Sequence, residues 1–332
     1  MRTRRLGDSD LQVSALGLGC WPLGGGAGWG DIDEAQAIAT IHAALDLGIT
    51  FFDTAEGYNA GRSEEIVGRA LCDRRDRAVI ATKISPQNCA PAAIRAHCEA
   101  SLRRLQTDYV DLYQVHWPIR EHDVAAAFET LQALQREGKV RQLGISNFGV
   151  QDMSAVLATG ARPISNQLHY SLLSRAIETD IIPLCQAEGL GVICYMALLQ
   201  GVLADAFASA DEVPDFRART RHFAPTRPSS QHGTPGAEAE VFAAVRRIRE
   251  LATDLDLPMA VLSLAWVAAK PGVSCVLIGS RRPEQLARNL PAGDLLLSAE
   301  VVATLDAITE PVRQKLGPNP DYWLEGEHAR IR

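Results

Sequence analysis

Phe51-Phe52-Asp53-Thr54-Ala55-Glu56-Gly57-Tyr58-Asn59 passes from an apolar run to a polar turn, and the rest of the chain repeats that pattern. The apolar run from Ile49 to Phe52 reads as a buried strand, and it turns polar abruptly at Asp53. Tyr58 falls in the turn beyond, ahead of a helix opened by Ser63-Glu64-Glu65. Two later apolar runs also finish on one ionisable residue. Val79-Ile80-Ala81-Thr82 ends on Lys83, and Leu112-Tyr113-Gln114-Val115 ends on His116. Aspartate, tyrosine, lysine and histidine at the carboxyl ends of successive strands form a set suited to proton transfer. Taken singly, each has an ordinary explanation: Asp53 as a cap or turn residue, Tyr58 as a surface aromatic, Lys83 as a solvated strand end, His116 as a core histidine.

Outward from this stretch a strand-then-helix rhythm repeats. Counting Ala15-Leu16-Gly17-Leu18-Gly19 as the first strand, further strands are predicted at 49–53, 78–83, 109–116, 140–145, 163–167, 190–195 and 275–278. Helices are predicted at 33–47, 63–71, 91–105, 123–137, 149–158, 176–188 and 238–254. Strict alternation implies a parallel sheet, and eight strands with the ionisable residues all at carboxyl ends favour a closed barrel over an open one. The fold class is therefore α/β, a single (β/α)8 TIM barrel with an N-terminal β-hairpin and extra C-terminal helices. No composition break marks a second domain, so residues 1–332 read as one barrel domain. Its additions are the hairpin at 1–14, a Pro-, Arg- and Ser-rich loop at 204–236, and an aromatic tail at 311–332 expected to pack across the barrel mouth. The glycines at 17 and 19 do not open a dinucleotide loop, because the G-x-G-x-x-G spacing fails at Pro22. Gly24 to Gly30 reads as a mobile loop at the mouth.

Composition narrows the function classes. The chain is 47% apolar and 22% charged, ordinary for a soluble globular protein. A net charge of −7 with dispersed acids leaves no electrostatic footprint for nucleic acid. No apolar run reaches the roughly 20 residues that span a bilayer, and no secretory signal follows the basic N-terminus. The seven cysteines contain no C-x-x-C pair and read as free thiols, which points to a cytoplasmic location. Glu121-His122 near His116 fits no usual zinc spacing, so no metal is expected.

The chain resembles the aldo-keto reductases. The residues that carry the resemblance are Phe-Asp-Thr-Ala-Glu-Gly-Tyr at 52–58, Thr82-Lys83, Gln114-Val115-His116-Trp117-Pro118, Gly144-Ile145-Ser146-Asn147-Phe148 and Asn166-Gln167. Ile278-Gly279-Ser280-Arg281-Arg282, followed by Gln285 and Asn289, completes the set in family order. The resemblance implies an NADP(H)-dependent reductase of aldehydes, ketones or sugars. It implies Tyr58 as the general acid, Lys83 as its modulator, Asp53 as the lysine's partner and His116 as the residue that orients the carbonyl. A lysine ammonium beside a phenol is expected to lower its pKa from about 10.

The resemblance also implies Ser146, Asn147 and Gln167 as the nicotinamide carboxamide site and Tyr195 as the stacking ring. It assigns Gly279, Ser280, Arg281, Gln285 and Asn289 to the adenosine 2′-phosphate, where a planar, permanently charged arginine suits phosphate. The hairpin is expected to plug the barrel floor, and Trp21, Trp117 and the 204–236 loop to border the substrate. Two departures stand out: Met196-Ala197 where Ser-Pro is usual, and Arg288 where Glu commonly precedes the final Asn. Two other readings stay open: oxidation of a sugar or inositol alcohol, and a regulatory NADP(H)-binding subunit of a membrane channel.

Overall fold

The computed structural model describes residues 1–26 and 28–332, so residue 27 of the glycine-rich stretch lies outside the described residues. Strands β1 (Thr3–Arg5) and β2 (Gln12–Ser14) pair antiparallel as the predicted hairpin. Eight more strands follow: β3 (Leu16–Gly19), β4 (Phe51–Asp53), β5 (Val79–Ile84), β6 (Val110–Val115), β7 (Val140–Ser146), β8 (Ser165–His169), β9 (Gly191–Tyr195) and β10 (Val273–Gly279). They pair in parallel in chain order, and β10 closes the barrel against β3.

The helices are α1 (Glu34–Asp46), α2 (Arg62–Leu71), α3 (Pro91–Leu105), α4 (Val124–Arg136), α5 (Val150–Ala158), α6 (Ile181–Ala187), α7 (Glu238–Asp254), α8 (Met259–Ala269), α9 (Pro283–Asn289) and α10 (Ala299–Leu316). Local chemistry sets several of their starts. Asp33 accepts from the Gln36 amide at α1, Asp123 from Ala126 at α4 and Ser298 from Val301 at α10, and Pro91 opens α3 where a missing N–H costs nothing.

Two elements differ from the sequence reading for physical reasons. The helix expected over 176–188 is a short 3-10 turn at Ala176–Glu178 followed by α6. Pro183 has no N–H to donate to Thr179 and tolerates only the first turn of a helix, so the helix begins just before it. Helix α8 was not expected at all. Nine of its eleven residues are buried, so it carries no polar stripe from which a helical period could be read. Among the described residues no single helix is long and apolar enough to cross a membrane; α7 and α8 pass such a test only when joined, and they meet at a 98° bend.

The barrel is filled rather than hollow. Leu6 and Val13 of the hairpin pack with Phe51, Ala81, Leu112, Ile193, Cys275 and Leu277, all buried, and this closes the floor as expected. The 204–236 loop is tied to the body. Arg221 donates to the carbonyls of Leu316 (2.6 Å) and Asn319 (3.3 Å), and Arg227 pairs with Glu238 at 3.2 Å. The tail packs over the mouth, with Tyr322 buried and Trp323 against Trp117 at 6.2 Å between ring centroids. All seven cysteines are free.

Candidate active site

Parallel pairing brings the strand ends to one rim. Asp53 lies opposite Gly19 and Ala81, Lys83 opposite Gln114, and Ser146 opposite Gln167. Side chains alternate along each strand, so the inward residues of β4, β5, β6 and β8 converge on the barrel axis.

Lys83 is fully buried there. Its Nζ donates to Asp53 Oδ1 at 2.5 Å, to the Thr54 carbonyl at 2.9 Å and to the Tyr58 hydroxyl at 3.2 Å. The second oxygen of Asp53 accepts from Gln167 Nε2 at 2.7 Å and from Gln114 Nε2 at 3.2 Å. The buried carboxylate is thus fully engaged, which a charge at this depth requires. Tyr58 sits in a turn fixed from behind by Glu56. That carboxylate accepts from the Ser85 amide at 2.9 Å and Asn88 Nδ2 at 2.8 Å, and lies 2.7 Å from His97 Nδ1. The His116 ring stands edge-on to Tyr58 with centroids 5.6 Å apart.

The electrostatics set a proton inventory. Burial pushes the Tyr58 phenol above its ordinary 10; Lys83 pulls it back down and Asp53 pushes it up, so burial outweighs the lowering expected of the lysine. Burial works to discharge Lys83, but Asp53 and Tyr58 more than compensate and its pKa is raised above 10.5. Burial and then the Lys83 charge depress His116 to about 3, so at neutral pH it is an uncharged imidazole with one N–H to donate. The set is a protonated phenol and a neutral histidine facing one cleft, with a charged lysine buried behind the phenol.

That cleft occupies about 1410 Å³, more than a single small ligand needs. It is bordered by Tyr58 and His116 at one end and by Gly279, Ser280, Arg281, Gln285 and Asn289 at the other. Ser146, Asn147, Gln167 and Tyr195 line it as well, and so do Trp21 and Trp117. Several of these groups are already engaged. Ser146 Oγ donates to the Gln167 carbonyl at 3.0 Å, and Asn147 Nδ2 to the His116 carbonyl at 3.1 Å. Tyr195 donates its hydroxyl to Asn147 Oδ1 at 2.7 Å and stacks on His169. Arg281 lies with Nη2 2.8 Å from the Asp31 carbonyl, while its backbone N–H and the Ser280 hydroxyl meet Gln285 Oε1.

Beyond Tyr195 the backbone is left-handed at Met196 (φ 53°), Leu199 (43°), Gln200 (52°) and Gly201 (112°). Such conformations cost free energy in non-glycine residues and cluster at functional sites.

Sequence reasoning missed part of this site. Gln114 stands two residues before His116 on β6, so the period of two already placed it on the same inward face. The corner formed by Trp29, Phe216 and Arg219 left no such signal, since it joins two irregular loops far apart in the chain.

A barrel whose rim carries this buried Asp-Lys-Tyr set beside a neutral histidine defines the class. The sequence profile of the Aldo/keto reductase family matches residues 15–310, and the chain belongs to that family. Among its relatives is the NADH-specific methylglyoxal reductase of Escherichia coli, 33% identical over 90% of this chain and 95% of the relative. An aldo/keto reductase from Klebsiella pneumoniae, solved in complex with NADP and acetate, is 32% identical with a TM-score of 0.74 over 99% of this chain and 98% of its own. The glycerol dehydrogenase of Gluconobacter oxydans superposes with a TM-score of 0.81 at 31% identity, covering 96% of this chain and 97% of that one.

Proposed function

We propose that the protein reduces an aldehyde or ketone to the alcohol with NADPH, and that Tyr58 is the general acid. The observation that carries this reading is the Tyr58 hydroxyl 3.2 Å from a buried, charged Lys83. The cofactor, when bound, supplies the hydride to the carbonyl carbon. The cleft suits it: one continuous volume is bordered by the phenol, by Arg281 and by Met196 to Leu198. Ser146, Asn147 and Gln167 offer the polar groups for a carboxamide, Tyr195 a ring to stack on, and Arg281 a charged fork for the 2′-phosphate. The NADP-bound Klebsiella relative supports this cofactor, and the NADH-specific relative makes its 2′-phosphate a point to measure.

The chain's own residues then manage one proton and one developing charge. His116, neutral, donates its N–H to the carbonyl oxygen and fixes the approach of the substrate. Tyr58 delivers its proton to that oxygen as negative charge builds there. Lys83 stabilises the phenolate left behind, and Asp53 keeps Lys83 charged and aimed. Catalysis then requires proton return to Tyr58 before the next turnover.

The test is a turnover screen with NADPH and NADH, in both directions, across aldehydes, ketones, aldoses and polyols. Carbonyl reduction abolished by Tyr58→Phe is the expected result. The glycerol dehydrogenase relative favours measuring alcohol oxidation in the same screen. Cofactor binding with no turnover of any compound would leave the regulatory reading in place of this one.

A further inference from the structure

The cleft holds more positive charge than the cofactor accounts for. Arg217, Arg219, Arg281, Arg288 and Arg330 border it, against only Asp53 and Asp205. Most of these charges are occupied or distant. Asp53 is paired with Lys83, and Asp205 with Arg249. Arg330 is held by two 2.9 Å bonds to Asp321, and Arg217 donates to the Gln200 carbonyl at 3.2 Å. Arg281 belongs to the adenosine end, where Arg288 is exposed to solvent.

Arg219 differs. Its guanidinium is only partly exposed, lies 4.5 Å from the Phe216 centroid and 5.7 Å from that of Trp21, and pairs with no carboxylate among the described residues. Its buried Nε–H has no acceptor. Burial alone pulls its pKa below the usual 12.5, and no acid raises it back.

A second orphan shares the corner. The indole N–H of Trp29 is buried without an acceptor among the described residues, and its ring stands edge-on to Trp21 at 5.4 Å and to Phe216 at 6.3 Å. Two buried donors against the same two rings are costly until an acceptor arrives, and unsatisfied groups of this kind are rare in folded proteins. The rings that stack on Arg219 shield it from water while leaving the edges of the guanidinium free to bind. The corner is also a built one. Gly28 has φ +82°, and a Cβ there would lie 2.1 Å from the Phe216 ring, so glycine lets that ring lie flat against the loop and support Arg219. Trp21 connects the corner to the chemistry, because its ring is 5.9 Å from that of Tyr58.

We propose that Arg219 and Trp29 form an anion subsite, and that the preferred carbonyl substrate carries a carboxylate or phosphate group several bonds from the carbonyl. This rests on the carbonyl-reductase reading above and adds the substrate class to it. A fork of guanidinium N–H groups and an indole N–H, set against the same two rings, match the oxygens of either anion. With the anion on Arg219 and the carbonyl at Tyr58 and His116, the substrate is held at both ends across the face of Trp21.

The experiment compares isosteric pairs. The wild type is assayed with 4-carboxybenzaldehyde against 4-nitrobenzaldehyde, and with glyceraldehyde 3-phosphate against glyceraldehyde. The anionic member is expected to have a kcat/KM higher by roughly tenfold to a hundredfold, the effect of one charge-assisted contact. The pair that shows the larger gain tells carboxylate from phosphate. Arg219→Leu is expected to lose that preference through KM, Arg219→Lys to keep part of it, and Trp29→Phe to lose less than Arg219→Leu, with NADPH affinity unchanged throughout. Equal handling of both members by the wild type would overturn the proposal, as would a loss of NADPH affinity in Arg219→Leu, which assigns the arginine to the cofactor. A binding arm needs no turnover: calorimetry of the NADPH-loaded protein with 4-carboxybenzyl alcohol against 4-nitrobenzyl alcohol. If no carbonyl is reduced, the reductase reading fails, and this arm alone decides the subsite: tighter binding of the carboxylate supports it and equal binding overturns it.

Discussion

The Lys83 ammonium lies 3.2 Å from the Tyr58 hydroxyl at the inner end of the cleft, and nothing but Asp53, Thr54 and Tyr58 accepts its protons. Two strands and one turn converge to make that contact, so each part can be removed separately.

Tyr58→Phe deletes the hydroxyl and keeps the ring against His116 and Trp21. Loss of a positioned general acid lowers kcat by about 10²–10⁴-fold. In the proposed mechanism the phenol meets the substrate oxygen rather than the cofactor, so NADPH affinity measured by fluorescence titration is expected to stay near the wild-type value. Retention of most of the turnover would remove Tyr58 from the acid role.

Lys83→Met acts on both reactivity and stability. With the ammonium gone, the phenol loses the partner that lowers its pKa and rises further above 10. The rate falls, and the alkaline limb of the pH–rate profile moves to higher pH. Asp53, 2% exposed, keeps only the amides of Gln114 and Gln167. A buried charge stripped of its partner costs about 3–5 kcal/mol, so urea denaturation shows a large drop in stability. An unchanged profile together with an unchanged midpoint would mean that the ion pair matters to neither.

Arg281→Ala tests the cofactor end. Arg281 borders the cleft, and its guanidinium reaches the Asp31 carbonyl across the mouth. A charge-assisted contact to phosphate is worth about 1.5–3 kcal/mol, so NADPH binding weakens roughly tenfold to a hundredfold. NADH lacks that phosphate, and its affinity changes little. Equal weakening of both cofactors assigns Arg281 to the loop it bridges, and a wild type that prefers NADH removes the phosphate contact altogether.

The fold was legible because its signals are periodic. Strand, turn and helix repeat from Leu16 to Gly279, and the residues proposed for proton transfer stand where each apolar run stops. Asp53, Lys83 and His116 could be found that way, and Gln114 could have been. Helix α8 could not, because a segment buried on every side shows no polar face. Neither could the pairing of Trp29 with Arg219, which depends on Phe216 lying against Gly28 across two aperiodic loops. The net direction of the Tyr58 shift was also out of reach. It is set by how deeply the phenol sits, and spacing says nothing about depth.

The last prediction concerns acid stability and rests on histidines rather than carboxylates. His116 is depressed to about 3 and His222 to about 4, while His169 lies well below 6.5; burial is the leading cause in all three. In the unfolded chain each titrates near 6.5. Below that pH the unfolded state therefore binds protons that the folded state refuses, and stability falls as pH drops. The loss runs from pH 6.5 towards 4, above the range where most carboxylates begin to protonate. Each such histidine contributes a slope of at most about 1.4 kcal/mol per pH unit. His222 is the cleanest probe. It is fully buried, its Nε2–H donates to the Leu173 carbonyl at 2.9 Å, and its Nδ1 accepts from Thr220 Oγ1 at 3.0 Å. His222→Gln lowers stability at pH 7 by breaking those bonds, but it also removes one proton from the slope between pH 6.5 and 4.5. Urea midpoints measured at half-unit steps separate the two effects. A variant with the wild-type slope would mean that His222 takes up its proton in the folded state.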